Sequence, residues 1–127
     1  MWVNQGYTFW LKDAAQMTHM WAVLSIPDEF CEQIVVVNFS SWAAYKDQSC
    51  IFEPCEHQSL PKKSVIMYDT ARCWSKEYLV GAIANRHVNP DVPLSQQQVE
   101  RVLEGAERSD RLPMKIRKVL IEQQLIV

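Results

Sequence analysis

The chain has 127 residues, 48% of them hydrophobic, and a formal net charge of −2 at neutral pH. That size and apolar content suit one domain over residues 1–127 with a moderate core, and the slight acidity argues against a broad electrostatic nucleic-acid binder while allowing a local basic groove. No apolar run approaches the roughly 18 residues of a membrane-spanning helix, so no membrane span is expected.

The first residues mix aromatic and polar side chains without the charged start and apolar centre of a secretory signal, so a cytoplasmic protein is expected. Residues 6–11, GYTFWL, read as a first strand or a short apolar lead-in, with Trp2, Phe9 and Trp10 covering one end of the core. Residues 19–25, HMWAVLS, read as a strand with His19, Trp21, Val23 and Ser25 on one face and Met20, Ala22 and Leu24 on the other. Pro27 and Asp28 end it, and 26–32 is expected to be a loop.

The strongest strand signal is the β-branched run Ile34–Val37. It is apolar on both faces and turns polar at Asn38, Ser40 and Ser41, which delivers an amide and two hydroxyls to the rim of a core, unless these residues only cap the strand. A polar, aromatic loop follows over 41–48, then a short strand over 49–53 stopped by Pro54, a loop containing His57, and a strand over 64–68 running towards Arg72. Short strands at this spacing suggest a small barrel or a strongly bent sheet. With three glycines in the chain, a phosphate-cradling glycine loop is excluded.

The remainder, 74–127, is expected to be a helical extension packed on a β-barrel part formed by 1–73. Residues 74–84 suggest a short helix weakened by Gly81. Residues 85–93 carry two prolines and read as a connection. Ser95 and Gln98 match a capping box, with Val99, Val102, Leu103 and Ala106 following on one face. Pro113 fits the first turn of a last helix whose buried stripe is Ile116, Val119 and Leu120. The apolar tail, residues 125–127, is expected to dock on the core or on a partner.

Four cysteines, at 31, 50, 55 and 73, would be reduced in a cytoplasmic chain and behave as small buried hydrophobes. Cys50, Cys55 and His57 form a candidate zinc set whose spacing departs from paired zinc knuckles. The expectation is no metal and no cofactor.

The residues with the chemistry of a metal-free ribonuclease are His19, Ser40 and His57 as catalytic candidates. Asn38, Ser41, Trp42, Arg72, Lys62 and Lys63 are the substrate-binding candidates. One group must take the proton of the ribose 2′-hydroxyl and another must protonate the leaving 5′-oxygen, while a cation and hydrogen-bond donors hold the phosphate charge. Histidine suits the proton transfers because it titrates near neutral pH. Trp42, Tyr45 and Tyr68 are candidate stacking platforms for single-stranded bases. The structural alternatives are ordinary: a histidine packed on tryptophan, a loop staple at His57, an Arg72 ion pair with Asp69 or Glu53, and aromatics that anchor loops.

The succession HMWAVLS, QIVVVNFSS, DQSCIFEPCEH and SVIMYDTAR, over roughly residues 6–72, resembles the PemK/MazF-like toxins. The resemblance implies an SH3-like barrel, a metal-independent endoribonuclease acting on single-stranded RNA, an antitoxin protein as partner and a homodimer. Matched by the strand that ends in Leu-Ser, the family's arginine falls on His19, and its threonine falls on Ser40 with Ser41 beside it. Histidine can transfer protons but lacks the permanent charge and two-pronged phosphate grip of arginine. His57 and Arg72 have no equivalents in that motif and come from the reading of the residues alone. The alternative is a catalytically silent barrel that binds protein or nucleic acid.

Overall fold

The computed structural model describes residues 3–12, 18–27 and 33–127. In chain order these form β1 (Thr8–Lys12), β2 (Thr18–Val23), β3 (Gln33–Ser41), β4 (Ile51–Phe52), β5 (Ser64–Ser75), α1 (Lys76–Ala84), β6 (Asn89–Asp91), α2 (Gln96–Arg108) and α3 (Met114–Glu122). The strands make one antiparallel sheet in the order β4-β5-β3-β2-β1-β6. The architecture is α+β, a curled half-barrel sheet with three helices. Trp2, Cys31 and most of the expected 26–32 loop lie outside the described residues.

β3 is central because it is apolar on both faces, and every residue from Ile34 to Phe39 except Asn38 is a buried hydrophobe. Val35, Val37 and Phe39 face α2 and α3, sharing a core with Met20, Ala22, Ile66, Val102 and Leu120. Ile34 and Val36 face the other way and pack with Phe9, Val23 and the α1 residues Leu79 and Ala82. The two-face reading of β2 therefore holds, and so does the buried stripe of α2. Its Ser95–Gln98 capping box is formed in both directions.

β4 keeps only Ile51–Phe52 of the strand expected over 49–53, and three further elements depart from the sequence expectation. β5 runs to Ser75, well past Tyr68, because its second half pairs with the first half of β3. β6 lies within the proline-bearing connection 85–93; Pro90 is tolerated because it sits on an edge strand that pairs only with β1. Pro113 occupies the N-cap of α3, one position ahead of the first turn.

The two sheet edges are brought together by the loop after β4. His57 Nε2 lies 2.6 Å from the Val92 carbonyl, just beyond β6, and Thr8 Oγ1 donates to the same carbonyl at 2.6 Å. From α2, Arg101 reaches the Ile51 carbonyl at 2.7 Å and pairs with Glu56, while Arg108 reaches the Ser49 carbonyl at 2.6 Å. These contacts satisfy backbone acceptors around the short β4 edge. Arg117 closes the far end of α2 by donating to the Ser109 carbonyl at 2.7 Å and the Ala106 carbonyl at 3.3 Å.

α2 approaches the sheet closely at Gly105. A Cβ there would overlap Tyr68 Oη and lie 2.8 Å from Cys50 Cβ and 3.0 Å from the Ser49 carbonyl oxygen. Tyr68 is fully buried and donates to the Val102 carbonyl at 2.7 Å. Burial pushes its phenol pKa up, so the hydroxyl stays a neutral donor.

The described residues contain no helix long and apolar enough to cross a membrane.

Candidate functional site

The register between β3 and β5 jumps. Val36 lies opposite Arg72, whereas Asn38, two residues further on, lies opposite Met67, five residues earlier. β5 therefore carries extra residues at a bulge, and the bulge reverses its alternation. Before it, Ile66 and Tyr68 point into the α2/α3 core; after it, Ala71 and Cys73 do. Thr70, Arg72 and Trp74 are left on the opposite face. There they join His19 and Trp21 of β2 and Asn38 of β3 around an open cleft of about 300 Å³. α1 covers the adjoining part of this face and leaves the cleft open.

The walls of the cleft differ. Trp21 and Trp74 are tilted against each other with centroids 5.5 Å apart, and Trp74 meets Tyr78 of α1 edge-on at 5.4 Å. They form an aromatic wall with π-faces and edges for a planar ligand. The other side is polar. Asn38 is buried, and its Oδ1 accepts from Thr70 Oγ1 at 2.5 Å, so the Nδ2 donor end of the amide points away from Thr70. Arg72 is exposed and brings a permanent positive charge with a donor fork. His19 is half-buried on the rim. This set can stack a flat group, grip an anion and exchange a proton.

Ser40 continues the same face. Trp21 pairs with Asn38, so two residues outward along each neighbouring strand His19 and Ser40 share a side. Ser40 Oγ accepts from Lys46 Nζ at 2.8 Å, and the same ammonium donates to the Ser41 carbonyl at 2.8 Å. Ser41 and Lys62 are exposed. Trp42 is 41% exposed, with the Lys63 ammonium 4.8 Å from its ring centre.

His57 lies elsewhere. It is buried in the loop that joins the sheet edges, beside α2, whose Gln98 and Arg101 both bond Glu56. The Ser59 N–H donates to Nδ1 at 3.1 Å, and Nε2 faces a carbonyl at 2.6 Å. A carbonyl only accepts, so Nε2 donates to Val92 while Nδ1 accepts from Ser59. Both nitrogens are committed to the backbone, which makes His57 a brace. Tyr68 is no stacking platform, being buried with its hydroxyl on α2. Cys50 is buried, burial raises its thiol pKa, and Cys55 is exposed at positive φ. Among the described residues no group of three or more His, Cys, Asp or Glu is placed to hold a metal ion.

Sequence reasoning gathered His19, Asn38 and Arg72 but missed Trp21, Thr70 and Trp74. Trp21 shares the His19 face in a simple alternation and was legible; Thr70 and Trp74 depend on the bulge. Neither a protein-family model, nor a curated protein, nor a solved structure matches the chain.

Proposed function

We propose that the chain is a PemK/MazF-like toxin with an SH3-like barrel, a cytoplasmic endoribonuclease that cleaves single-stranded RNA in the outer-face cleft without a metal. The observation that carries the reading is the placement of His19, Asn38, Thr70 and Arg72 around one open cleft with an aromatic wall. In the proposed reaction His19 takes the proton of a ribose 2′-hydroxyl, and the 2′-oxygen attacks the adjacent phosphorus. The bond from phosphorus to the 5′-oxygen breaks, that oxygen takes a proton from water in the open cleft, and the proton held by His19 neutralises the hydroxide left behind, which resets the base. The products are a 2′,3′-cyclic phosphate and a 5′-hydroxyl. Arg72 and the Asn38 amide hold the charge on the non-bridging oxygens, and Trp21 or Trp74 supports a neighbouring base. An antitoxin protein and a second copy of the chain complete the module.

Purified protein incubated with single-stranded RNA and a chelator should yield 5′-hydroxyl fragments and arrest growth when expressed alone. RNA left intact at every pH tested would remove the catalytic reading. A binding-only module keeps the same cleft, and one observation favours it: the second imidazole, His57, has both nitrogens on backbone groups. RNA retained but uncut is its signature.

A further inference from the structure

The β3–β4 loop displays an aromatic pair that is held in place although exposed. Trp42 Nε1 donates to Gln48 Oε1 at 2.7 Å, and Gln48 Nε2 donates back to the carbonyls of Ala43 at 3.0 Å and Lys46 at 2.8 Å. The backbone N–H of Trp42 is tied to the Lys63 carbonyl at 2.9 Å. Tyr45, 78% exposed, has Lys46 Nζ 5.9 Å from its ring centre, and Arg111 approaches its carbonyl at 3.5 Å. Asp47 anchors the loop from beneath, accepting from Ser109 Oγ and Ser49 Oγ at 2.5 Å each. Large apolar rings kept in solvent by a built scaffold, in a chain of net charge −2, sit here among lysine and arginine side chains. Stacking faces interleaved with cations are what a single-stranded nucleic acid needs, since every base has a π-face and every linkage a negative charge.

We infer that Trp42 with Lys63, and Tyr45 with Lys46, form a second nucleotide subsite that receives the strand leaving the cleft. This rests on the RNA reading of the cleft and extends it to substrate length. β3 supplies the path: Asn38 lies in the cleft, Ser40 is next on that face and is held by Lys46, and Trp42 follows. From Asn38 to Trp42 the chain advances about 13 Å, so a dinucleotide whose phosphate is held by Asn38 and Arg72 falls short of the subsite. Lys63 covers one face of the indole, so a base stacks on the other while the ammonium meets the adjoining phosphate. The protein therefore prefers strands that continue past the scissile phosphate.

The test uses the full chain and 2′-deoxy oligonucleotides, which bind without being cut. A strand of about ten nucleotides is compared with a dinucleotide by titrating intrinsic fluorescence. Trp42→Ala should weaken the longer strand by roughly tenfold or more and leave the dinucleotide unchanged, and Trp42→Phe should restore most of the loss. Lys63→Ala should lower the salt slope for the longer strand by about 0.7. Unchanged affinity of Trp42→Ala for the longer strand, or an equal loss with both ligands, overturns the inference; so does a patch that takes an acidic protein but no oligonucleotide. The two readings fail separately. RNA bound with this length dependence but never cleaved removes the catalytic step alone, and RNA cleaved with Trp42→Ala silent removes the subsite alone.

Discussion

Thr70 donates its hydroxyl to Asn38 Oδ1 at 2.5 Å across the point where the β3–β5 register jumps. The bond fills the gap that the bulge opens in the ladder, and beyond it Arg72 and Trp74 face the cleft. Thr70→Val keeps the shape but leaves the buried Asn38 oxygen without its donor, which should cost about 1–3 kcal/mol. The expected result is a lower urea midpoint together with weaker RNA binding than the stability loss accounts for. Wild-type affinity in a folded Thr70→Val protein would show that the Thr70–Asn38 bond does not hold the cleft in its binding shape.

His19 and Arg72 carry different parts of the proposed reaction. His19→Ala should lower cleavage by about 10²–10⁴-fold with little change in RNA affinity. Arg72→Lys keeps the charge but loses the planar fork, so binding and rate should both fall. Single-turnover cleavage and binding to a 2′-deoxy strand, measured side by side, separate the two; full activity in His19→Ala rejects the proton-transfer role.

His57 makes a contrasting case. With both ring nitrogens bonded to the Ser59 and Val92 backbone, His57→Ala removes the tie between the sheet edges. Two part-buried hydrogen bonds lost at about 1 kcal/mol each should lower Tm, while the pH profile of cleavage at a permissive temperature keeps its shape. Loss of one limb of that profile would return His57 to the chemistry.

Two helical glycines should respond oppositely to alanine. At Gly105 the added methyl would meet Tyr68 Oη and Cys50 Cβ, both in the packed interior. Overpacking of about 1–3 kcal/mol outweighs a helix-propensity gain of at most about 1 kcal/mol, so Gly105→Ala should lower Tm. At Gly81 a Cβ meets nothing within 4 Å, so only the propensity gain remains. Gly81→Ala should be stabilising by about 0.5–1 kcal/mol. Thermal melts of the two variants give this comparison directly.

Asp47 predicts a pH dependence of stability. Burial works to raise its carboxyl pKa, but hydrogen bonds from Ser109 and Ser49 and the Arg111 charge together hold it below the ordinary value. A depressed folded-state pKa means the stabilisation is complete above the unfolded value, about 3.9. It is lost as pH falls through the folded value below that. Asp47→Asn should be less stable at neutral pH by about 1.5–3 kcal/mol, and the gap from wild type should narrow as pH falls below about 4. Urea titrations across this range test it; a gap that widens on acidification contradicts the assignment.

The local sequence determined a good deal of this protein. The β-branched run Ile34–Val37 is a central strand because apolarity on both faces demands cover on both faces, and Ser95 with Gln98 starts α2 because that spacing satisfies free backbone donors. Strict alternation in β2 put His19 and Trp21 on one side and Met20 and Ala22 on the other. None of this needs a distant partner. Tertiary structure decided the rest. Arg72 and Trp74 reach the cleft through a register shift against β3, which no count along β5 alone reveals. β6 exists because β1 offers an edge to pair with, and His57 became a brace because folding carried Val92 to it from 35 residues away. Side-chain direction on a strand follows from pairing, and pairing is settled between segments far apart in the chain.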